Sequence, residues 1–575
     1  MLRLLRHLAP YRWQIAGVCL LVVLQNLAEL LLPTLMADIV DRGVFRMDTP
    51  LILRTGAMML AVTAVGAACS IGVSLLAALV STGFGRRLRS MVFAREESFS
   101  LDEFDRLGTA TLIIRCTNDI TQVQQVVFMV LRMALGAPVM LVGGIVMALA
   151  EDAALSWLIV VVTPLLGAAV WAIAARGMPL FRAVQARLDR LNLVLREQLT
   201  GIRVIRAFNR VGWELERFDQ ANRDLTQVSI SVNQLLAAMM PVVMLLMNVT
   251  AVAVVWFGGL RIDQGQMQVG SLMAFIQYVM LIMFSLVMLS MLFVMVPRAA
   301  VSAGRINEVL ETEPEIVDPL LPREPVRAEG GVEYRGVTFS YHGAEHPALQ
   351  DISFTARAGE FTAIIGSTGS GKSTLVNLLL RFYDVDRGAI LVDGVDVREM
   401  SQASLRSRIG YVPQQAVLFS GTIADNIRYG KEDATEEEIR HAAAIAQAAD
   451  FIEAMPQGYQ SVVAQGGTNL SGGQRQRLAI ARALVRRPQI YVFDDSFSAL
   501  DFQTDARLRQ ALRRETRDAT VFLVAQRVGS VMDADRIIVL EEGRIAAMGT
   551  HRELMECCQV YREIACSQLA EEALA

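Results

Sequence analysis

Residues 366–374 read Gly366-Ser367-Thr368-Gly369-Ser370-Gly371-Lys372-Ser373-Thr374, and this stretch decides how the second half of the chain folds. An apolar run at 361–365 precedes it and another at 375–380 follows, so the pattern is strand, loop, helix. Glycines let the loop backbone curl until successive N–H groups point inward. The helix behind them adds its positive N-terminal end, which makes a cradle for phosphate oxygens. The spacing G-x-x-x-x-G-K-S assigns Lys372 to the outer phosphates of a nucleotide and the Ser373 hydroxyl to Mg²⁺.

Working outward, short apolar runs alternate with helical patterns from about residue 331 onward, which is an α/β reading. Tyr341 lies 25 residues before Gly366, where an aromatic ring can stack on an adenine. Gln414 sits on a loop after a strand-like run. Leu470-Ser471-Gly472-Gly473-Gln474 is a second glycine-rich helix start, and so a second surface suited to phosphate. Residues 490–493 form an apolar strand that ends in Asp494, the geometry that holds Mg²⁺ in P-loop ATPases; Asp495 follows, and Asp501 closes Ser498-Ala499-Leu500-Asp501. Gln526 ends another apolar strand at 521–524.

The first half is different. The chain is 53% hydrophobic and 19% charged, against about 25% charged for an ordinary soluble domain, which asks for a membrane. Six stretches have the roughly 20 apolar residues needed to cross a bilayer: 14–39, 52–84, 126–150, 154–174, 235–257 and 269–296. Arginines crowd the 85–118 and 176–232 connections, which places those loops and both termini in the cytoplasm. Gln25 and Glu29 are four apart on one face of the first span, and an intramembrane carboxylate is a candidate for a substrate cavity. Proline-containing, polar sequence follows the sixth span. The expected organisation is an all-α six-helix transmembrane domain (1–300), a linker (301–330) and an α/β P-loop NTPase domain (331–575).

Taken in order, these motifs resemble the nucleotide-binding domain of ATP-binding cassette transporters, and with six spans ahead of it the whole chain resembles a half-transporter of the exporter class. The run from Ser100 to Arg106 is similar to the exporters' first coupling helix, and 201–218 to the region of the second. The resemblance implies ATP and Mg²⁺ as cofactors, with Ser373, Gln414 and Asp494 at the metal. It implies a second half-transporter as partner, with ATP held between one chain's P-loop and the other's Leu470–Gln474 signature. It also implies export of an amphipathic drug, lipid or peptide across a bilayer. Three positions depart from the family: Gln465 stands where a glutamate just before the signature is usual, and in the hydrolytic site Asp495 stands where a catalytic glutamate is usual and Gln526 where a switch histidine is usual. That pairing resembles one subunit of a heterodimer with a degenerate ATP site. A homodimer in which Asp495 works as the catalytic carboxylate is the alternative, and a nucleotide-gated membrane regulator is another.

A net charge of −4 and the absence of a basic patch outside the membrane loops argue against a nucleic-acid partner. Six scattered cysteines show neither metal-ligand spacing nor a disulfide framework. No cleavage pattern follows Arg3, Arg6 and Arg12, so no signal peptide is expected, and the arginine-heavy composition fits a bacterial cytoplasmic membrane.

Overall fold

Each apolar stretch of the first half becomes a helix, and most run far past the length a bilayer requires. The computed structural model describes residues 1–325 and 329–568, except for the side chains at 2, 170, 174 and 290–294. It divides into two units. One holds Met1–Glu97 with Ala110–Thr312, and the other holds Ser98–Thr109 with the chain from Glu313 onward.

In the membrane unit the helices are α1 (Arg12–Asp38), α2 (Thr49–Glu96), α4 (Thr109–Glu151), α5 (Trp157–Ala207), α6 (Val211–Asp263) and α7 (Val269–Glu311). The short helix α3 (Leu101–Leu107) falls in the second unit. At 48, 51 and 53 residues, α2, α5 and α6 are roughly 70–80 Å long, against about 30 Å of hydrocarbon. Asp48 caps α2 by accepting the Leu51 N–H at 3.1 Å. Interhelix packing relies on small residues: a Cβ on Gly143 would lie 2.3 Å from the Leu30 side chain, and one on Gly144 2.8 Å from Ile282. The buried Tyr278 of α7 donates its hydroxyl to the Leu30 carbonyl at 2.9 Å.

Residues 301–311 are helical, which corrects the expected start of the linker at 301. Ala299, Ala303, Ile306 and Val309 recur at the spacing of a helical turn and are all buried, so α7 runs through Pro297 to Glu311. The irregular segment begins at Thr312, where Pro314, Pro319, Pro322 and Pro325 cluster. A second difference concerns α3. It groups with the cassette because buried Glu103 accepts the Glu315 N–H at 2.8 Å and the Tyr383 hydroxyl donates to Asp105 at 3.1 Å. Burial raises the Glu103 pKa, but hydrogen bonds from Ser100 and Glu315 outweigh it and hold the carboxyl below its ordinary value.

The cassette has an antiparallel sheet and a mainly parallel one. The antiparallel sheet contains β1 (Val332–Phe339), β2 (Leu349–Ala356), β4 (Arg387–Val392) and β5 (Val395–Asp396), ordered β2-β1-β4-β5. The other has six strands: β3 (Phe361–Gly366), β6 (Ile409–Val412), β7 (Ile490–Asp494), β8 (Thr520–Val524), β9 (Arg536–Glu541) and β10 (Arg544–Gly549). Its order is β10-β9-β3-β8-β7-β6, with only β10 antiparallel to its neighbour. Alternation splits its core in two: Ile364, Val492 and Phe522 face the antiparallel sheet and the helix α8 (Lys372–Leu379). Ala363, Phe493 and Leu523 face the helices α9 (Gly472–Val485), α10 (Phe502–Glu515), α11 (His551–Cys557) and α12 (Gln559–Gln568). Because β3, β7 and β8 are parallel, their C-terminal ends meet at one edge, where ligands bind in open α/β sheets.

Candidate nucleotide site

At that edge the ends of β3, β6, β7 and β8 carry the glycine-rich loop, Gln414, Asp494 with Asp495, and Gln526, while Tyr341 follows β1. Strand β3, buried at Ala363, Ile364 and Ile365, delivers the chain to Gly366. There a Cβ would stand 2.2 Å from the Leu540 carbonyl oxygen, so only glycine lets the strand turn so tightly. Gly371 caps α8 with φ +96, a conformation glycine adopts without strain. Lys372 is curled back into this loop. Its ammonium donates to the carbonyls of Gly366 (2.9 Å) and Ser367 (2.6 Å) and lies 3.5 Å from the Ser370 hydroxyl. Burial lowers its pKa, although Asp495 and Asp494 pull the other way.

Across the pocket, the Ser373 hydroxyl donates to Asp494 at 3.1 Å and the Gln526 amide donates to Asp495 at 3.1 Å. Burial raises the pKa of Asp494, with help from the charge on Asp495; burial also raises that of Asp495, against Lys372 and Arg527. Asp495 holds a left-handed backbone, φ +45, and its N–H bonds the Val524 carbonyl at 3.0 Å. The Tyr341 hydroxyl shares a hydrogen bond with Thr374 at 2.9 Å, and its ring meets Tyr383 edge-on at 5.4 Å. A cavity of about 330 Å³ is lined by Tyr341, Thr368, Gly369, Gly371, Lys372, Ser373, Thr374, Gln414, Asp494, Asp495 and Gln526.

These residues fit a magnesium nucleotide. Among the described residues, Lys372 has no carboxylate within ion-pair distance; its partners are neutral oxygens that an anion can replace. Two adjacent carboxylates with raised pKa, Asp494 buried and Asp495 half-buried, and a serine hydroxyl beside them are a donor set for a hard cation. Gly369, at φ +84, has nothing within 4 Å of its would-be Cβ, which leaves the mouth of the loop open to phosphate.

The signature residues lie outside this cavity. Leu470 is buried, whereas Ser471 and Gly472 are exposed at the start of α9. Ser471 and Gln474 form a reciprocal cap: the Ser471 N–H donates to the Gln474 side chain at 2.8 Å and the Gln474 N–H to the Ser471 hydroxyl at 3.2 Å. Asp501 caps α10, accepting the Thr504 N–H at 2.9 Å. In the membrane unit, Gln25 donates to Glu29 at 3.1 Å and both line a cavity of about 460 Å³.

Sequence reasoning missed Arg132, which lines the same cavity from a π-helical turn, Val130–Ala134, inside α4. Its charge was absorbed by the strong hydropathy of the span, although a lone arginine inside such a stretch is itself a signal. It also missed Tyr383 and Gln568. The Gln568 amide bonds the Gln526 carbonyl and the Val528 N–H, both at 2.9 Å.

A six-helix membrane unit on the same chain as a P-loop cassette defines an ATP-using membrane transport protein. Residues 15–309 match the ABC transporter transmembrane region, and residues 349–498 match the ABC transporter domain. An uncharacterised ABC transporter ATP-binding protein of Mycobacterium tuberculosis is 49% identical over 573 residues, covering 99% of this chain and 98% of that protein. The ATP-dependent lipid A-core flippase of Syntrophus aciditrophicus is 32% identical, covering 96% and 92%. A fatty acid ABC transporter ATP-binding/permease protein of Mycobacterium tuberculosis is 36% identical, covering 83% and 75%. A solved bacterial Atm1-family ABC exporter with ATP bound superposes with a TM-score of 0.82 at 28% identity, covering 98% of this chain and 99% of that one. The chain belongs to the ABC transporter family and is a half-transporter of the exporter type. Its cassette is of the kind that binds ATP, typically with Mg²⁺, and couples hydrolysis to transport; such exporters work as dimers in a lipid bilayer.

Proposed function

We propose that this chain is one half of a heterodimeric exporter of a lipid-like amphiphile in a bacterial cytoplasmic membrane, and that the ATP site built on its own P-loop is degenerate. The observation that carries the proposal is the pairing of Asp495 with Gln526 at 3.1 Å in the nucleotide cavity. Asp495 takes the place from which a carboxylate would orient or deprotonate the attacking water, but it is one methylene short. Gln526 holds it by a neutral donor and cannot become a cation. Lys372 and the loop N–H groups would hold the phosphates; Ser373, Gln414 and Asp494 would hold Mg²⁺, whose charge supplies electrostatic stabilisation when bound. Tyr341 would stack on the base. The exposed Ser471 and Gly472, with the half-buried Gly473, would complete the partner's site, with Gln474 capping their helix and Asp501 in the segment beside them.

For the substrate, Arg132, Glu29 and Gln25 line one cavity inside otherwise apolar helices, with Ser70 and Ser74 from α2. Ionisable groups in such a place mark a ligand path by default. The relatives named for a fatty acid and for lipid A-core support a lipid with a charged headgroup. The test is ATPase activity and oligomeric size of the chain purified alone in lipid and again with a co-expressed partner half-transporter. Activity confined to the mixed pair, lost in Ser471→Arg and kept in Asp495→Asn, supports the heterodimer. A brisk homodimer that dies with Asp495→Asn refutes it.

One observation favours that homodimeric reading as the alternative. The raised pKa of Asp495, caused by burial, suits a general base better than an ordinary aspartate would.

A further inference from the structure

We infer that Gln568, on the C-terminal helix, is a positioning residue for the switch segment of the nucleotide site. This rests on the proposed function, in which Gln526 occupies the switch position of the nucleotide cavity, where a side chain can reach the outermost phosphate. Beyond Ala525, whose N–H still bonds the Ile364 carbonyl at 3.1 Å, the parallel ladder of β8 ends. The next backbone pair is taken up by one side chain: the Gln568 carbonyl accepts the Val528 N–H at 2.9 Å, and its NH₂ donates to the Gln526 carbonyl at 2.9 Å. A glutamine presents an acceptor and a donor side by side, as a neighbouring strand would, so it continues the pairing by one step across Arg527.

The helix that carries Gln568 is fixed. Tyr561 and Ala565 of α12 are buried in the same hydrophobic core as Val528 and Val531, the residues just after the switch. The Tyr561 hydroxyl meets His551 Nδ1 at 2.6 Å, and Arg562 donates to the Met555 and Glu556 carbonyls at 3.0 and 2.9 Å. The clamp therefore has a rigid base. On its other side, the Gln526 side chain reaches Asp495 at 3.1 Å within the cavity. The order of transmission is α12, Gln568, the Gln526 backbone, the Gln526 side chain and then Asp495. With both backbone groups held, the Gln526 side chain projects from a fixed origin into the place of the terminal phosphate; released, it swings with the loop.

The experiment uses the full chain in lipid nanodiscs and compares wild type, Gln568→Met and Gln568→Glu. Methionine keeps the packing volume without either hydrogen bond, while glutamate keeps the acceptor and faces the Gln526 carbonyl with a charge. Two quantities are read: hydrogen exchange at the Val528 amide, and equilibrium binding of fluorescent ATP and ADP without Mg²⁺, where hydrolysis does not intervene. Gln568→Met is expected to speed Val528 exchange about fivefold, the worth of one hydrogen bond, and to cut the preference for ATP over ADP about threefold or more at unchanged ADP affinity. Glutamate is expected to protect Val528 but not to restore the ATP preference. Unchanged exchange in Gln568→Met overturns the inference, and so does faster exchange with an unchanged ATP preference. Nucleotide binding that survives Lys372→Ala refutes the site reading, and this inference with it, whatever the Gln568 variants do.

Discussion

Asp495→Glu lengthens the side chain by one C–C bond, about 1.5 Å, at the position where, on the degenerate-site proposal, reach limits catalysis. Along the present line to Gln526, that extension would shorten the 3.1 Å contact to about 1.6 Å, so the new carboxylate must turn into the nucleotide cavity or displace the amide. The backbone there is left-handed, φ +45, which aspartate tolerates better than glutamate; the strain costs up to about 1 kcal/mol. Against this stands a positioned general base, typically worth about 10²–10⁴-fold or roughly 2.7–5.5 kcal/mol. The gain exceeds the strain, and the own-site rate is expected to rise about 10- to 10³-fold. Adding Gln526→His should raise it further, by relieving the clash and supplying a group that can become cationic. The assay is steady-state ATPase in lipid for the single and double variants, in a background whose partner site is silenced. No gain from Asp495→Glu, together with abolition of activity by Asp495→Asn, would refute the reasoning: aspartate would then be the working catalyst.

The two aspartates also give a pH prediction. Their folded pKa values are raised by burial, so their contribution to stability is full below the ordinary aspartate range and is lost as pH rises through the folded values. Asp494→Asn should raise the nucleotide-free melting temperature at pH 7 by more than at pH 5, and Mg·ATP should remove the difference; a larger gain at pH 5 would reverse the sign. Tyr383→Phe keeps the ring against Tyr341 but deletes the bond to Asp105, worth about 1 kcal/mol at this exposed site. Basal ATPase should stay within about twofold while substrate stimulation falls about fivefold, and equal losses in both would count against a coupling role. In Arg132→Gln, stimulation by an anionic amphiphile should drop about tenfold while stimulation by a neutral one persists; a parallel loss of both would point to helix packing instead.

Much of this was legible because the sequence carries strong periodicities and rare dipeptides. Six apolar stretches marked the helices, and the loop from Gly366 to Thr374 marked the sheet edge, since a Cβ at Gly366 or Gly371 would collide with neighbouring backbone. The failures have physical causes. Pro297 reads as a break in water, yet α7 passes through it because Ala299, Ala303, Ile306 and Val309 bury a continuous stripe that outweighs one lost hydrogen bond. Arg132 was hidden by averaging over a hydrophobic window. Gln568 carries no local signal at all: its role exists only because α12 packs beside a strand end more than 40 residues upstream. The same holds for Tyr383 and Asp105, which are 278 positions apart.

The short segment Ser98–Thr109 belongs with the cassette, although the chain on both sides of it belongs with the membrane helices. On the ribosome this imposes an order. The segment emerges more than 200 residues before Glu315, whose N–H satisfies the buried Glu103. At about 5–20 residues per second it waits roughly 10–40 s for that partner, with an acidic helix start that has nothing to dock on. Insertion of the remaining spans must finish first. A cassette expressed from Glu313 onward would lack this piece altogether, so its biogenesis is a two-visit process, and the first visit is the one exposed to proteases and chaperones.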